Sequence, residues 1–223
     1  MNFKHIPILI ICRDRVSCLK QQVEAFEKRG YQNIIMVDNA STYEPLLEYY
    51  KQTPHQVIRM KENYGHTVLI DQGVVDMFAG DYYAYTDPDI IPAEECPDDF
   101  MEYFYNILRR HPELRKAGFS LKIDDLPDHF VNREMVIGWE KQYWERPLEY
   151  NVWLAPIDTT FALCTPGVTP IVWQWAGRTD KPYTARHTSW YIDSKNPSDE
   201  DTYYANHITT TTNWSQYINK ETT

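Results

Sequence analysis

YYAYTDPDII, residues 82–91, decides the reading of this chain. An aromatic and apolar run ends in two carboxylates, Asp87 and Asp89, with one proline between them. In an extended segment, residues two apart point the same way, so both acids can face one ligand. Hard divalent cations such as Mg²⁺ or Mn²⁺ prefer oxygen donors and often keep waters and substrate phosphates as their other ligands. The same letters also suit a solvated turn, because Asp and Pro are common there. Position in the fold decides between the two.

The residues upstream supply that position. Residues 8–12 form an apolar run that reads as a buried strand. Val16, Leu19, Val23 and Phe26 then recur at helical spacing, with Gly30 as the stop. A second strand is expected over 33–37, ending at Asp38. A helix follows over 41–50, with Ser41 or Thr42 as its cap. Residues 56–60 read as a third strand, 66–78 as a helix ended by Gly80 and Asp81, and 82–86 as a fourth strand. Such alternation predicts parallel strands joined by right-handed crossovers. Ligands of these sheets bind outside the carboxyl ends of the strands. Asp38 and the Asp87–Asp89 pair therefore fall on one rim. A carboxylate at Asp38 could accept from a uracil imide or a ribose hydroxyl, or Asp38 and Ser41 could merely cap the next helix.

Downstream the alternation weakens. The pattern predicts a helix over 99–110, a strand over 117–123, a helix over 128–144 capped by Asp128, and a strand over 157–164. Residues 167–184 read as loop, 198–208 as a short helix, and the chain from Thr209 as a polar tail. The whole is expected to be one domain over 1–223, in two halves, 1–95 and 96–223. Its length and polar end are also those of a module of a larger polypeptide.

Composition excludes other classes. The net charge is −10, so the basic footprint of a nucleic-acid binder is absent. An acidic protein can still hold a nucleotide sugar if a divalent cation screens the phosphates. Aromatic residues make up 14% of the chain, and all seven Trp lie after residue 138. They serve as core or as flat surfaces for sugar rings. Cys12, Cys18, Cys96 and Cys164 are irregularly spaced, which argues for reduced, packed thiols and against a zinc cluster. No transmembrane segment and no signal sequence is visible, so a cytoplasmic location is expected.

Four pieces now stand in order: Pro7-Ile8-Leu9-Ile10-Ile11-Cys12-Arg13, Val37-Asp38-Asn39-Ala40-Ser41, Asn63-Tyr64-Gly65 and Thr86-Asp87-Pro88-Asp89. Through them residues 6–91 resemble the nucleotide-binding half of glycosyltransferases with the GT-A fold, of the family 2 type. The resemblance implies an α/β fold with a mostly parallel central sheet flanked by helices, a nucleotide-sugar-binding half over 1–95 and an acceptor-binding half over 96–223. It implies an NDP-sugar donor, usually a UDP-sugar, a Mn²⁺ or Mg²⁺ ion, and a carbohydrate or glycan acceptor. Asp38 would contact the base, Asp87 would lie near the ribose or metal, and Asp89 would coordinate the metal. Arg13, Asn63 and Gly65 would belong to the donor site.

Members of this fold often carry an acidic catalytic base and, further on, a histidine that binds metal or diphosphate. Asp158, in Ile157-Asp158-Thr159-Thr160, is the candidate base, and His187 the candidate ligand. Asp201, in Asp199-Glu200-Asp201, competes, although Ser198 and Asp201 have capping-box spacing. Asp125, in the acidic stretch 122–128, is the third choice, where turn chemistry explains the residues equally well. The expected reaction is an inverting glycosyl transfer. A sugar-nucleotide nucleotidyltransferase and a non-catalytic carbohydrate-binding protein are the rival readings. The first would show a Gly-rich phosphate loop, and residues 8–16 contain no glycine.

Overall fold

The computed structural model describes residues 1–167, 175–193 and 195–207. The polar tail from Thr209 and residues 168–174 of the expected 167–184 loop lie outside them.

The first half runs β1 (Ile8–Cys12), α1 (Ser17–Lys28), β2 (Ile34–Asp38), α2 (Glu44–Gln52), β3 (Gln56–Arg59), α3 (Val68–Asp71), β4 (Tyr83–Thr86) and β5 (Ile90–Pro92). The second half runs α4 (Phe100–Arg110), β6 (Lys116–Gly118), β7 (Ser120–Leu121), α5 (Arg133–Glu140), β8 (Pro147–Glu149), β9 (Val152–Pro156), β10 (Ala162–Cys164), β11 (Trp175–Thr179), β12 (Thr184–His187) and α6 (Asp199–His207). The larger sheet has the order β3-β2-β1-β4-β10-β6-β11-β9-β8, and a smaller one the order β5-β12-β7.

Strands β3, β2, β1 and β4 are mutually parallel, as expected from the alternation. The second half is mixed: β10 runs antiparallel to both β4 and β6, and β11 is parallel to β6 but antiparallel to β9. Both faces of the parallel part are covered, which is why its strands read as continuous apolar runs. Ile8, Ile10 and Cys12 pack on one face with Leu19, Val23 and Phe26 of α1 and Phe100, Phe104 and Ile107 of α4. Leu9 and Ile11 pack on the other with Val37, Val68, Leu69 and Val75. Phe26, Phe100, Phe104, Phe119 and Phe161 form one ring cluster between α1, α4 and the sheet. Each fully buried Phe contributes about 2–3 kcal/mol of transfer free energy.

Several expectations are corrected. The 66–78 helix is broken into a 3-10 turn at Gly65–Thr67, α3, and a second 3-10 turn at Val75–Met77. Gly73 sits between them at φ +65°, a conformation that ends a helix. The 117–123 strand divides at Phe119, because β6 joins the large sheet and β7 the small one. The 128–144 helix is only α5 followed by a 3-10 turn at Lys141–Trp144; Asn132, not Asp128, stands at its cap. Of the 157–164 strand only β10 forms, since 157–161 is a loop. Strand β11 lies within the expected 167–184 loop. The start of α2 is held by neither Ser41 nor Thr42 as cap: Asp14 Oδ1 accepts from the N–H groups of Thr42 (2.6 Å) and Tyr43 (2.9 Å). No described helix is long and apolar enough to cross a membrane.

Candidate active site

The strand order reverses at β1, with β2 on one side and β4 on the other, so the loops after β1 and β4 flank a switch-point crevice. Asp87 and Asp89 leave β4 into that crevice. Gln22, buried on α1, fixes their backbone: its Nε2 donates to the carbonyls of Asp87 (2.7 Å) and Ile90 (2.6 Å). Ile90 then opens β5, which pairs antiparallel with β12 and sets His187 opposite Ile90. The Thr188 N–H donates to the Asp89 carbonyl at 2.8 Å. A pairing between distant segments thus brings His187 Nδ1 to 3.7 Å from Asp89 Oδ2.

The two acids of the motif differ. Asp87 accepts from the Thr159 hydroxyl; burial first, then the charges of Asp89 and Asp158, push its carboxyl well above the usual range. Asp89 is also buried, which acts in the same direction, but His187, Arg15 and the Ser189 hydroxyl outweigh it and hold the carboxyl below its ordinary value. Ser189 Oγ donates to Asp89 Oδ2 at 2.6 Å, and Arg15 Nη1 stands 3.4 Å from the same oxygen.

Asp158 reaches the same place from the 157–161 loop. The Asp87 N–H donates to the Thr159 carbonyl (2.9 Å), and the Tyr85 hydroxyl to the Asp158 carbonyl (2.7 Å). Buried Lys116 donates to the Tyr85 hydroxyl (3.1 Å) and to the Ile157 carbonyl, bracing the loop from below. The Asp158 side chain is exposed, with Oδ1 accepting from the N–H (3.0 Å) and hydroxyl (2.6 Å) of Thr160. Asp87, Asp158, Thr159 and His187 line one cavity of about 80 Å³ together with Glu140 and Arg178.

Arg13 follows β1, Asp38 ends β2, and Asn63 and Gly65 follow β3, along the same rim. Asp38 is fully buried; Oδ2 accepts from Arg59 Nε (3.0 Å), and Oδ1 from the Ser41 N–H and the Tyr50 hydroxyl (both 3.2 Å). Arg13 Nη1 donates to the Asn39 carbonyl at 2.7 Å. Asn39 ties this rim together: its Nδ2 donates to Asn63 Oδ1 (2.8 Å) and the Gly65 carbonyl (2.9 Å), while its Oδ1 accepts from the Tyr64 N–H (2.8 Å). Gly65 adopts φ +74°, which a side chain would strain.

The other candidate bases are engaged elsewhere. Asp125 pairs with Arg186 and accepts from the Tyr191 hydroxyl at 2.5 Å; burial alone would raise its carboxyl, but these partners hold it low. Asp201 closes the capping box with Ser198, whose hydroxyl donates to it at 2.6 Å, and lies 3.5 Å from Arg15 Nη2.

Arg15 and Ser189 were not singled out in the sequence, and Glu200 stood there only within the Asp199-Glu200-Asp201 cluster, not as a cap. Arg15 follows β1 directly, so the strand-end rule applied to that loop was the available signal. Glu200, 7% exposed, accepts from the N–H groups of Val16 (3.0 Å) and Ser17 (3.1 Å), capping α1 from the far end of the chain. No local pattern announces such a cap.

Among the described residues, no group of three or more His, Cys, Asp or Glu could hold a metal ion by itself. The residues present do fit a cation that takes its remaining ligands from phosphate and water. Asp87 and Asp89 crowd one crevice, where burial and the charge of Asp89 raise Asp87, and among the described residues His187 Nδ1 is buried without a hydrogen-bond partner beside them.

No family model matches the chain, and no curated protein matches it. Solved structures similar to it include S. aureus TarS 1–349, with a TM-score of 0.47 and 10% identity over 82% of this chain and 60% of that one. Glucosyl-3-phosphoglycerate synthase from Mycobacterium tuberculosis, in complex with phosphoglyceric acid, gives 0.44 and 10% over 72% and 56%. A cytidylyltransferase from Leptospira borgpetersenii serovar Hardjo-bovis gives 0.40 and 9% over 72% and 60%. The chain therefore spans 60% or less of the length of each of these. At this degree of likeness no residue role passes from them to this chain. Its own architecture is the α/β class expected, a large sheet flanked by helices, but the sheet is mixed where a mostly parallel one was expected: among the described residues four of its eight strand pairings are antiparallel.

Proposed function

We propose that this protein is a metal-dependent glycosyltransferase that moves a sugar from an NDP-sugar, UDP-linked, to a hydroxyl of a carbohydrate acceptor with inversion. The observation that carries the reading is the convergence of Asp87, Asp158 and His187 on one cavity, with Asp89 beside His187 at the switch point. Asp87, Asp89 and His187 are the residues that would hold Mn²⁺ or Mg²⁺. Such an ion, when bound, supplies Lewis-acid charge to the leaving diphosphate.

The chain's own residues do the rest. Asp38 is the candidate contact for the nucleobase, on the side where its Oδ2 accepts from half-exposed Arg59. Arg13 and the Asn63–Gly65 turn border the same rim. Asp158 takes the proton of the acceptor hydroxyl as its oxygen bonds to the sugar C1 and the C1–O bond to the diphosphate breaks. Its exposure and its place on the cavity favour it over Asp125 and Asp201, whose carboxylates are held by Arg186 and by Ser198.

The test is nucleoside-diphosphate release from a panel of UDP- and GDP-sugars with Mn²⁺. Wild type is expected to turn over one donor class. Asp158→Asn is expected to lose roughly 10²–10⁴-fold in transfer, the usual worth of a general base, with nucleotide affinity within about two-fold. Wild-type turnover in Asp158→Asn would remove it as the base, and no release from any donor would overturn the transferase reading.

A further inference from the structure

Part of the cavity wall is built by α5, the turn after it, and β11. Trp139 lines the cavity and is 48% exposed, so a face of its indole is open to solvent. It is a placed surface: its ring meets that of Tyr143 edge-on, with centroids 6.4 Å apart. Next to it Glu140 and Arg178 form a buried ion pair, Nη2 to Oε2 at 3.0 Å, with both side chains at most 5% exposed. Arg178 lies over the Tyr143 ring at 4.3 Å. Its Nε is buried and meets no acceptor among the described residues. Buried donors of this kind are rare and call for an explanation.

This wall performs none of the donor chemistry assigned above, and a buried ion pair is weak evidence for stability as such. Its composition instead matches one ligand class. A sugar presents an apolar ring face, which an exposed indole can cover, and adjacent hydroxyls, each both donor and acceptor. A carboxylate beside a guanidinium can take up both roles at once. Among the described residues that line the cavity, an anionic acceptor would meet no uncommitted cation: the Arg178 guanidinium is already paired with Glu140 at 3.0 Å, His187 Nδ1 faces Asp89 at 3.7 Å, and the other acids on the wall are Asp87 and Asp158. Its volume of about 80 Å³ is well below the ~300 Å³ of pockets that enclose a whole ligand. A cavity of that size has room for the hydroxylated edge of a ring, with Trp139 at its wall to cover the ring face.

We propose that Trp139, Glu140 and Arg178 form the acceptor subsite and that it takes a neutral sugar with adjacent hydroxyls, not a phosphorylated or carboxylated one. The assignment rests on the glycosyltransferase reading for the word acceptor, but the sugar site can be tested without it. The hydroxyl nearest Asp158 is the one that becomes glycosylated.

Saturation-transfer NMR and calorimetric titration with maltose, cellobiose, lactose and diacetylchitobiose, set against glucose 6-phosphate and glycerol 3-phosphate, test the site on the full chain. At least one neutral disaccharide is expected to bind saturably, at least tenfold tighter than either phosphorylated probe. Trp139→Ala is expected to weaken that binding at least tenfold, and Trp139→Tyr to restore most of it. Trp139 is on the surface, so the variants fold; UDP with Mn²⁺, titrated into the same samples, reports separately on the donor site. Sugar binding without UDP binding would sink the donor reading and leave the sugar site standing. No saturable neutral sugar, unchanged affinity in Trp139→Ala, or tighter binding of a phosphorylated probe would each overturn the subsite.

Discussion

Replacing Arg15 by Met keeps most of the aliphatic stem and removes the charge that faces the DPD motif. Arg15 is 7% exposed; its Nη1 donates to Ser189 Oγ at 2.7 Å and lies 3.4 Å from Asp89, while Nη2 lies 3.5 Å from Asp201. Removing one partner of a buried pair costs about 3–5 kcal/mol, because the other charge stays buried. Ser189 and His187 remain beside Asp89, so the lower end applies, about 3 kcal/mol at pH 7. For a domain of this size that corresponds to a fall of roughly 6–12 °C in Tm. The sign with pH follows from Asp89. Its carboxyl is held below the ordinary value, so its contribution is complete above about pH 4 and is lost as pH falls through the lowered value. In Arg15→Met the same carboxyl titrates higher, and a protonated Asp89 needs no partner. The penalty must therefore shrink on acidification. Urea unfolding of both proteins at pH 7, 5 and 4 measures this. A loss below about 1 kcal/mol at pH 7, or a penalty that grows toward acid, would refute the reasoning.

Glu200→Ala removes the cap of α1 and should cost about 2 kcal/mol by urea unfolding, the upper range for a cap because the carboxylate is buried and accepts from two N–H groups; a loss under about 0.5 kcal/mol would show that α1 starts without it. Gly118→Ala should cost about 3 kcal/mol, since a Cβ there would fall inside contact of the Phe161 carbonyl oxygen and 2.8 Å from Ala162 Cα, both backbone atoms that cannot turn aside. Unchanged thermal unfolding of that variant would contradict the close approach of β6 and β10.

The parallel half was legible because its strands are buried on both faces. Residues 8–12 and 34–38 are apolar throughout, and α1 shows a clean stripe at Leu19, Val23 and Phe26. With four strands in order, the strand-end rule put Asp38, Asp87 and Asp89 on one rim. The second half was harder for physical reasons. Strands β5, β7 and β10 have two or three residues, too few for any period to register. The 66–78 stretch has helical apolar spacing, and only the left-handed Gly73 breaks it. The β5–β12 pairing, which delivers His187 to Asp89, is a long-range contact with no local signature. The same holds for Glu200 over α1 and Asp14 ahead of α2, where the caps come from distant segments. Asp158 could be singled out as an acid near a predicted strand, but its route to the cavity runs through the Thr159–Asp87 and Tyr85–Asp158 hydrogen bonds.

Calorimetric titration of UDP and GDP into wild type and Asp89→Asn, each with Mn²⁺ and with EDTA, tests the central claim most directly. The account predicts that UDP binds wild type with Mn²⁺ and that this binding falls at least tenfold in EDTA and in the variant, whose carboxamide keeps the shape but not the charge. Metal-independent binding, or equal binding by Asp89→Asn, would contradict the assigned cation site. Failure of both nucleotides to bind wild type with Mn²⁺ would contradict the glycosyltransferase reading itself.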